Sequence, residues 1–322
     1  MKAIVQDTYG SADHLELRDV DLPAAGEDDV LIRVHAAGVD PGVWHLMTGL
    51  PYPVRLQSGL RAPKIRVRGV DVAGTVEAVG TNVTRFQPGD EVFGTCTGAF
   101  AEYAVARHDK LAPKPANLTF EQAAAVPISA CTALQALRDA GRIQPGQHVL
   151  IIGAAGGIGT FAVQLAKSFG ATVTAVCSTT KTDLVTSLGA DTVIDYTRHD
   201  FADGVTRYDL ILDTAGNRTL THLRKALTPN GTLVVVGGET SGRWLQGTDR
   251  QLRATLLSPF VRHRLRGLLS LPRLDKLEFL ARLIESGKVT PIIDRTYALS
   301  ATPEAITYLA EGHSRGKVVI TI

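Results

Sequence analysis

Cysteine is scarce in this chain. Cys96, Cys131 and Cys177 stand far apart. An odd, sparse set with no C-x-x-C pair does not build a disulfide framework, and a reduced, cytoplasmic setting is expected. Excess charge of either sign is also missing: 34 basic residues face 32 acidic ones, a formal net charge of +2. That balance gives no basis for nucleic acid as a partner. No apolar run is long enough to span a bilayer. Met1-Lys2-Ala3-Ile4-Val5 enters an apparent strand rather than a signal peptide. What is present is ample core material: 44% of the 322 residues are hydrophobic and 20% charged. Such a chain is globular, with one large domain or two.

The first hundred residues read as strands punctuated by glycine and proline. Leu31–Ala36 and Val70–Val79 are β-type runs, and Gln87-Pro88-Gly89-Asp90 is a turn before Glu91-Val92-Phe93. Phe120–Ala140 reads as helical, interrupted at Pro127. From Pro145 onward strands and helices alternate. Strands are expected at His148–Ile152, Thr172–Cys177, Thr192–Asp195, Asp209–Asp213 and Thr232–Val236. Helices are expected at Thr160–Phe169, Thr182–Leu188 and Leu220–Leu227. This alternation predicts βαβ units and a doubly wound parallel sheet of Rossmann type. A helix over Leu274–Ser286 and a strand at Gly316–Ile320 close the chain.

The sharpest motif is Val149-Leu150-Ile151-Ile152-Gly153-Ala154-Ala155-Gly156-Gly157-Ile158-Gly159. A buried strand enters a glycine-rich turn and a helix follows at once. Glycine there permits a tight turn, backbone approach to a pyrophosphate and close helix–strand packing. The helix N-terminus offers N–H groups to the phosphates. Ala154 stands where the first glycine is usual, giving A-x-G-x-x-G. The candidate pyrophosphate cradle is Ala155, Gly156, Gly157, Ile158 and Gly159.

An NAD site wants an acidic residue about 20 residues further on, at the end of the next strand. Here that strand leads into Cys177-Ser178-Thr179-Thr180-Lys181; no carboxylate occupies that edge, and the nearest is Asp183, already in the next helix. Hydroxyls and a lysine suit a 2′-phosphate. NADP(H) is therefore expected over NAD(H).

These segments resemble the NADPH:quinone oxidoreductases, the zeta-crystallin branch of the medium-chain dehydrogenase/reductase superfamily. The resemblance extends to Gly69–Val76 and Pro88–Gly94, which are similar to the family's β-rich GroES-like catalytic domain. It also covers Leu188-Gly189-Ala190-Asp191, Ile194-Asp195-Tyr196, and Gly287-Lys288-Val289 through Ile320. It implies a catalytic domain of residues 1–122 completed by 274–322, a Rossmann NADP(H)-binding domain of 123–273, a site in the cleft between them, and a homodimer. It further implies Ser178, Lys181 and Tyr196 at the 2′-phosphate, with Thr132, Gly237 and Gly238 near the nicotinamide.

Zinc-dependent relatives carry a Cys after the strand corresponding to Val34–Val39, and later a Gly-His-Glu. This chain has Asp40 and Gly69-Val70-Asp71 there. A catalytic zinc needs three protein ligands, and no zinc is expected. Without a Lewis acid the favoured acceptors are already electrophilic: quinones and α,β-unsaturated carbonyls. The resemblance therefore implies a zinc-independent, NADPH-dependent reductase. The rivals are an enoyl-thioester or 2-alkenal reductase, an NADPH-binding protein with little turnover, and a zinc alcohol dehydrogenase. Asp40, Trp44 and Tyr52 are expected to line the substrate pocket, with Tyr52 a hydrogen-bond donor to a carbonyl oxygen; the bland reading of both aromatics is packing. Asp40 stands where the family often has an asparagine.

Residues 250–273 mix arginine with leucine, phenylalanine and valine. They read as a surface helix pair with solvated arginines. Binding of acidic substrates and peripheral contact with a membrane surface are the other readings.

Overall fold

The computed structural model describes residues 1–237, 243–245, 247–268, 270 and 272–322. Its strands are β1 (Lys2–Val5), β2 (Glu16–Asp19), β3 (Asp29–Val39), β4 (Asp71–Val79), β5 (Glu91–Thr95), β6 (Tyr103–Arg107), β7 (Leu111–Pro113), β8 (His148–Ile152), β9 (Thr172–Cys177), β10 (Thr192–Asp195), β11 (Tyr208–Asp213), β12 (Leu227–Val235), β13 (Arg264–Gly267), β14 (Ile293–Ala298) and β15 (Lys317–Thr321). The helices are α1 (Pro41–Thr48), α2 (Arg55–Ser58), α3 (Phe120–Ala124), α4 (Pro127–Leu134), α5 (Gly157–Ser168), α6 (Thr182–Ser187), α7 (Leu220–Lys225), α8 (Thr248–Leu257), α9 (Leu274–Glu285) and α10 (Thr302–Ala310).

The chain divides into two compact units. The first comprises residues 1–131, 272–287 and 291–322; the second comprises 132–271 and 288–290. Residues 123–131, expected with the Rossmann domain, thus pack with the first unit. The helical run breaks at Pro127, as expected: α3 ends at Ala124 and α4 starts anew at Pro127, where a missing N–H costs nothing at the first helical position.

The first unit is built on a sheet in the order β14-β15-β3-β4-β5-β7, with β6 pairing β3 off that path. β3 is central and buried along most of its length. Its close neighbour β4 needs Gly74, because a Cβ there would lie 2.1 Å from the Arg33 carbonyl oxygen. Ile32, Val34, Val72, Val76, Val92 and Ile320 form the core of this unit. α9 buries Leu277, Leu280 and Ile284 along one stripe, and Asn117 donates to the Ile284 carbonyl at 2.9 Å.

The second unit is a six-stranded parallel sheet, β10-β9-β8-β11-β12-β13. This is the dinucleotide-binding strand order, with its ligand crevice at the carboxyl ends of the strands. The apolar strands predict it, since a sheet covered on both faces needs continuous hydrophobic runs. Leu150, Val176, Ile211, Leu233 and Leu265 belong to one core cluster.

The basic segment departs from expectation. Among its described residues, α8 and a short 3₁₀ turn, Ser258–Phe260, are followed by the edge strand β13 rather than by a second α-helix. Arg264-Leu265-Arg266 alternates with the period of a strand: Leu265 is fully buried and both arginines are exposed. Arg250, by contrast, is not solvated. It lies buried within the unit, as described below.

Candidate functional site

The glycine turn follows β8 directly. Gly153 takes φ +80° and carries the tight bend, one residue before the position expected to do so. A Cβ there would lie 2.5 Å from Thr214 Oγ1, whose hydroxyl donates to the Ile152 carbonyl at 2.8 Å. Ala154 therefore needs no special backbone conformation and fits fully buried. Gly153 and Ala154 donate their N–H groups to the Val176 carbonyl at 3.2 and 3.1 Å, tying the turn to β9. Gly159 serves helix packing: a Cβ there would lie 2.1 Å from the Gly153 carbonyl oxygen. Gly156 differs. Its added Cβ would meet only the Gly153 oxygen, at 3.4 Å. Gly156 is also the N-cap of α5, and no side chain caps that helix. The first turn of α5 thus lacks a side-chain acceptor, and an anion suits it.

At the end of β9, Ser178 precedes a short 3₁₀ turn, Thr179–Lys181. Ser178 and Lys181 are half-buried, while Tyr196 is exposed with its N–H bonded to the Cys177 carbonyl at 3.1 Å. The expectation that no carboxylate reaches this edge is corrected here. Asp195 ends β10, pairs with Cys177 across the two strands, and accepts the Thr179 hydroxyl at 2.5 Å. That hydrogen bond holds the Asp195 carboxyl below its ordinary value. Beside this corner opens a cleft of about 570 Å³ lined by Tyr196, Arg198, Phe201, Asn217 and His222 among others.

On the other side of β8, Gly237 follows β12, and a Cβ there would lie 2.4 Å from the Thr214 carbonyl oxygen. Gly238 lies outside the described residues. Arg250 braces this region in a way that sequence reading missed. Its guanidinium bonds Asp213 Oδ2 at 2.6 Å, the Arg218 carbonyl at 2.6 Å and the Gly237 carbonyl at 3.3 Å. Asp213, fully buried, also accepts the Gly216 N–H at 3.0 Å. The ion pair fixes the carboxyl end of β11 and its loop. Thr132 is buried on α4. The glycine turn, Ser178, Lys181, Tyr196 and Gly237 thus gather at the carboxyl ends of one sheet.

Asp40, Trp44 and Tyr52 follow β3 in the first unit. Asp40 is buried and caps α1, its Oδ1 accepting the Gly42 N–H at 2.7 Å. Its Oδ2 is buried without a hydrogen-bond partner. Trp44 is half-buried and lies edge-on to His45. Tyr52 lies beneath the Arg55 guanidinium, 5.1 Å from its ring centre. Asp71 is fully buried, accepts the Ile128 N–H at 3.1 Å and faces Lys317 at 3.7 Å. Burial pushes its carboxyl well above the ordinary value. His35 bonds Thr75 at 3.0 Å, and His45 donates to the Leu50 carbonyl at 2.9 Å. Among the described residues no group of three His, Cys, Asp or Glu is placed to hold a metal ion. At the positions compared with zinc ligands, Val70 has no ligating atom, and Asp40 Oδ1 and Asp71 Oδ1 each accept a backbone N–H.

Comparison with known proteins places these features in company. Residues 26–116 match the alcohol dehydrogenase GroES-like domain, and residues 188–320 match the zinc-binding dehydrogenase model. The chain is 33% identical to a mitochondrial NAD(P)H oxidoreductase of Mus musculus, over 100% of this chain and 89% of the relative. It is 34% identical to the chloroplastic NADPH-dependent alkenal/one oxidoreductase of Arabidopsis thaliana, over 99% of this chain and 79% of the relative. The structure of the quinone oxidoreductase from Coxiella burnetii superposes with a TM-score of 0.85 at 32% identity, covering 100% of this chain and 99% of that one. These relatives correct the expected cytoplasmic setting: the mouse and plant proteins are named for mitochondria and chloroplasts.

Proposed function

Because this chain belongs to the medium-chain dehydrogenase/reductase superfamily, among the quinone oxidoreductase-like proteins, we propose that it is an NADPH-dependent reductase of quinones or activated α,β-unsaturated carbonyls. The observation that carries this reading is the turn at Gly156: an uncapped helix start whose added Cβ would meet nothing closer than 3.4 Å. Ala155, Gly156, Gly157, Ile158 and Gly159 cradle the pyrophosphate, which the N–H groups at the start of α5 bind while the Gly156 N–H stays on the Gly153 carbonyl at 3.1 Å. Ser178 and Lys181 bind the 2′-phosphate, and Tyr196 packs beside it. Thr132 and Gly237 position the nicotinamide end, braced through Arg250 and Asp213. When bound, the dinucleotide supplies a hydride.

Trp44 and Tyr52 orient the acceptor, and Tyr52 donates a hydrogen bond to its carbonyl oxygen. Zinc independence belongs to the same proposal. Its support is that Val70 has no ligating atom, that one oxygen of Asp40 already caps α1, and that Asp71 accepts the Ile128 N–H and faces the Lys317 ammonium. So does a homodimer, which light scattering on the purified protein tests. Peripheral membrane contact is supported by Leu252, Leu256 and Phe260, all exposed beside exposed Arg253 and Arg262.

The test is NADPH oxidation at 340 nm, with NADH in parallel, against 9,10-phenanthrenequinone, 1,4-benzoquinone, 2-hexenal and crotonyl-CoA. Turnover of quinone or enal supports the reading. Preference for crotonyl-CoA moves it to enoyl-thioester reduction. Tight NADPH binding with no turnover leaves a binding protein.

A further inference from the structure

Strands β9 and β10 run in register, and their last residues, Cys177 and Asp195, are direct partners. The chain leaves β9 through Ser178, Thr179 and Lys181. The Asp195 carboxylate reaches that same corner from the neighbouring strand. Its Oδ2 accepts the Thr179 hydroxyl at 2.5 Å. Its Oδ1 accepts the Thr197 N–H at 3.0 Å and the Thr197 hydroxyl at 2.8 Å. Arg198 approaches only to 3.6 Å, with its side chain 69% exposed. Three hydrogen bonds favour the ionised form, and the salt bridge is too exposed to cancel its charge.

A negative charge therefore stands one side chain away from the residues assigned to the 2′-phosphate. A phosphate dianion is repelled there, whereas a ribose diol is not. A carboxylate that stands beside the ribose can also accept its hydroxyls, the part that an acid at the end of the preceding strand plays in NAD sites. Thr179 moderates both effects, because its hydroxyl occupies the oxygen nearest the corner. We propose that Asp195 is a specificity-determining residue: it lowers the preference for 2′-phosphorylated over unphosphorylated dinucleotide, and Thr179 sets how far. This rests on the reading of Ser178–Lys181 as the nucleotide corner.

The two residues give opposite tests. Asp195→Asn keeps the shape while removing the charge: its one carbonyl oxygen stays on the Thr197 N–H, and its NH2 group donates to the Thr179 hydroxyl, which can also accept. It raises the ratio of NADH to NADPH dissociation constants about tenfold, which is about 1.4 kcal/mol. Thr179→Val frees the carboxylate oxygen and lowers that ratio. A merely structural role would weaken both dinucleotides together and leave the ratio fixed. The experiment titrates NADPH and NADH by fluorescence into the full chain and both variants, at low and high salt. The Asp195→Asn effect shrinks as salt screens it. Wild type that binds both dinucleotides, with a ratio unmoved in either variant, overturns the role of Asp195 and leaves the nucleotide corner standing. Wild type that binds neither overturns the nucleotide corner, and the role of Asp195 falls with it. If Asp195→Asn does not fold, Thr179→Val decides alone.

Discussion

Gly156 and Gly159 stand three residues apart in one motif, yet the structure assigns them separate work. Alanine at each position separates that work. At Gly159 the new methyl carbon would lie 2.1 Å from the Gly153 carbonyl oxygen and 2.6 Å from the Ala154 carbonyl carbon. Both obstacles are backbone, so the turn must move. Overpacking of this kind costs about 1–3 kcal/mol, and a unit of this size loses roughly 2–4 °C of Tm per kcal/mol. Gly159→Ala should therefore melt about 2–12 °C lower, with or without ligand. At Gly156 the backbone is extended, with φ −82° and ψ 178°, which alanine adopts freely. The methyl group meets the Gly153 oxygen only at 3.4 Å, so Tm in the absence of ligand should stay within about 2 °C. The cost appears on binding. A methyl group in the path of the pyrophosphate costs about 1–3 kcal/mol, which raises the NADPH dissociation constant roughly 5- to 150-fold. Differential scanning fluorimetry and fluorescence titration read the two effects. Gly156→Ala that binds NADPH like wild type refutes the placement of the pyrophosphate over Gly156. A Tm loss equal to that of Gly159→Ala refutes the division of roles.

Arg250→Leu strands the buried Asp213 carboxylate. Breaking such a pair costs about 3–5 kcal/mol, so Tm should fall by at least about 6 °C in a thermal melt; an unchanged Tm refutes the brace. Asp71 has a raised folded pKa, so it contributes stability at low pH that is lost as pH rises above 3.8 through the folded value. Urea midpoints of wild type should decline relative to Asp71→Asn from pH 4 to pH 8, and parallel profiles sink the idea. Burial pushes the Cys131 thiol up to about 12 and the Cys177 thiol up to about 11. Neither should react with a disulfide reagent at pH 8 until the protein is unfolded in guanidinium, which thiol titration measures.

The parallel sheet was legible because its signals are local. Apolar runs such as His148–Ile152 and Thr172–Cys177 mark buried strands, and the glycine turn marks the crossover between them. The missed features depend on partners far away in sequence. Asp195 reaches the corner after β9 only through the β9–β10 register, whereas spacing rules look for an acid along a single strand. Arg250 looked like one of many surface arginines because its partner Asp213 lies 37 residues earlier. In Arg264-Leu265-Arg266 the basic composition masked a period of two. Asp40 was read for its position near a pocket. Its place immediately before Pro41 is also an ordinary helix-start signal, and its Oδ1 caps α1.

The position of β15 bears on how the molecule is made. In the sheet it lies between β14 and β3, although nearly the whole chain separates it from β3. At roughly 5–20 residues per second of synthesis, β3 waits from a quarter of a minute to a minute for this neighbour. Meanwhile the second unit, drawn almost entirely from residues 132–271, emerges with its own strands complete and is free to fold. The unit begun first on the ribosome is thus finished last. Until then the exposed flank of β3 depends on whatever shields nascent strands from one another.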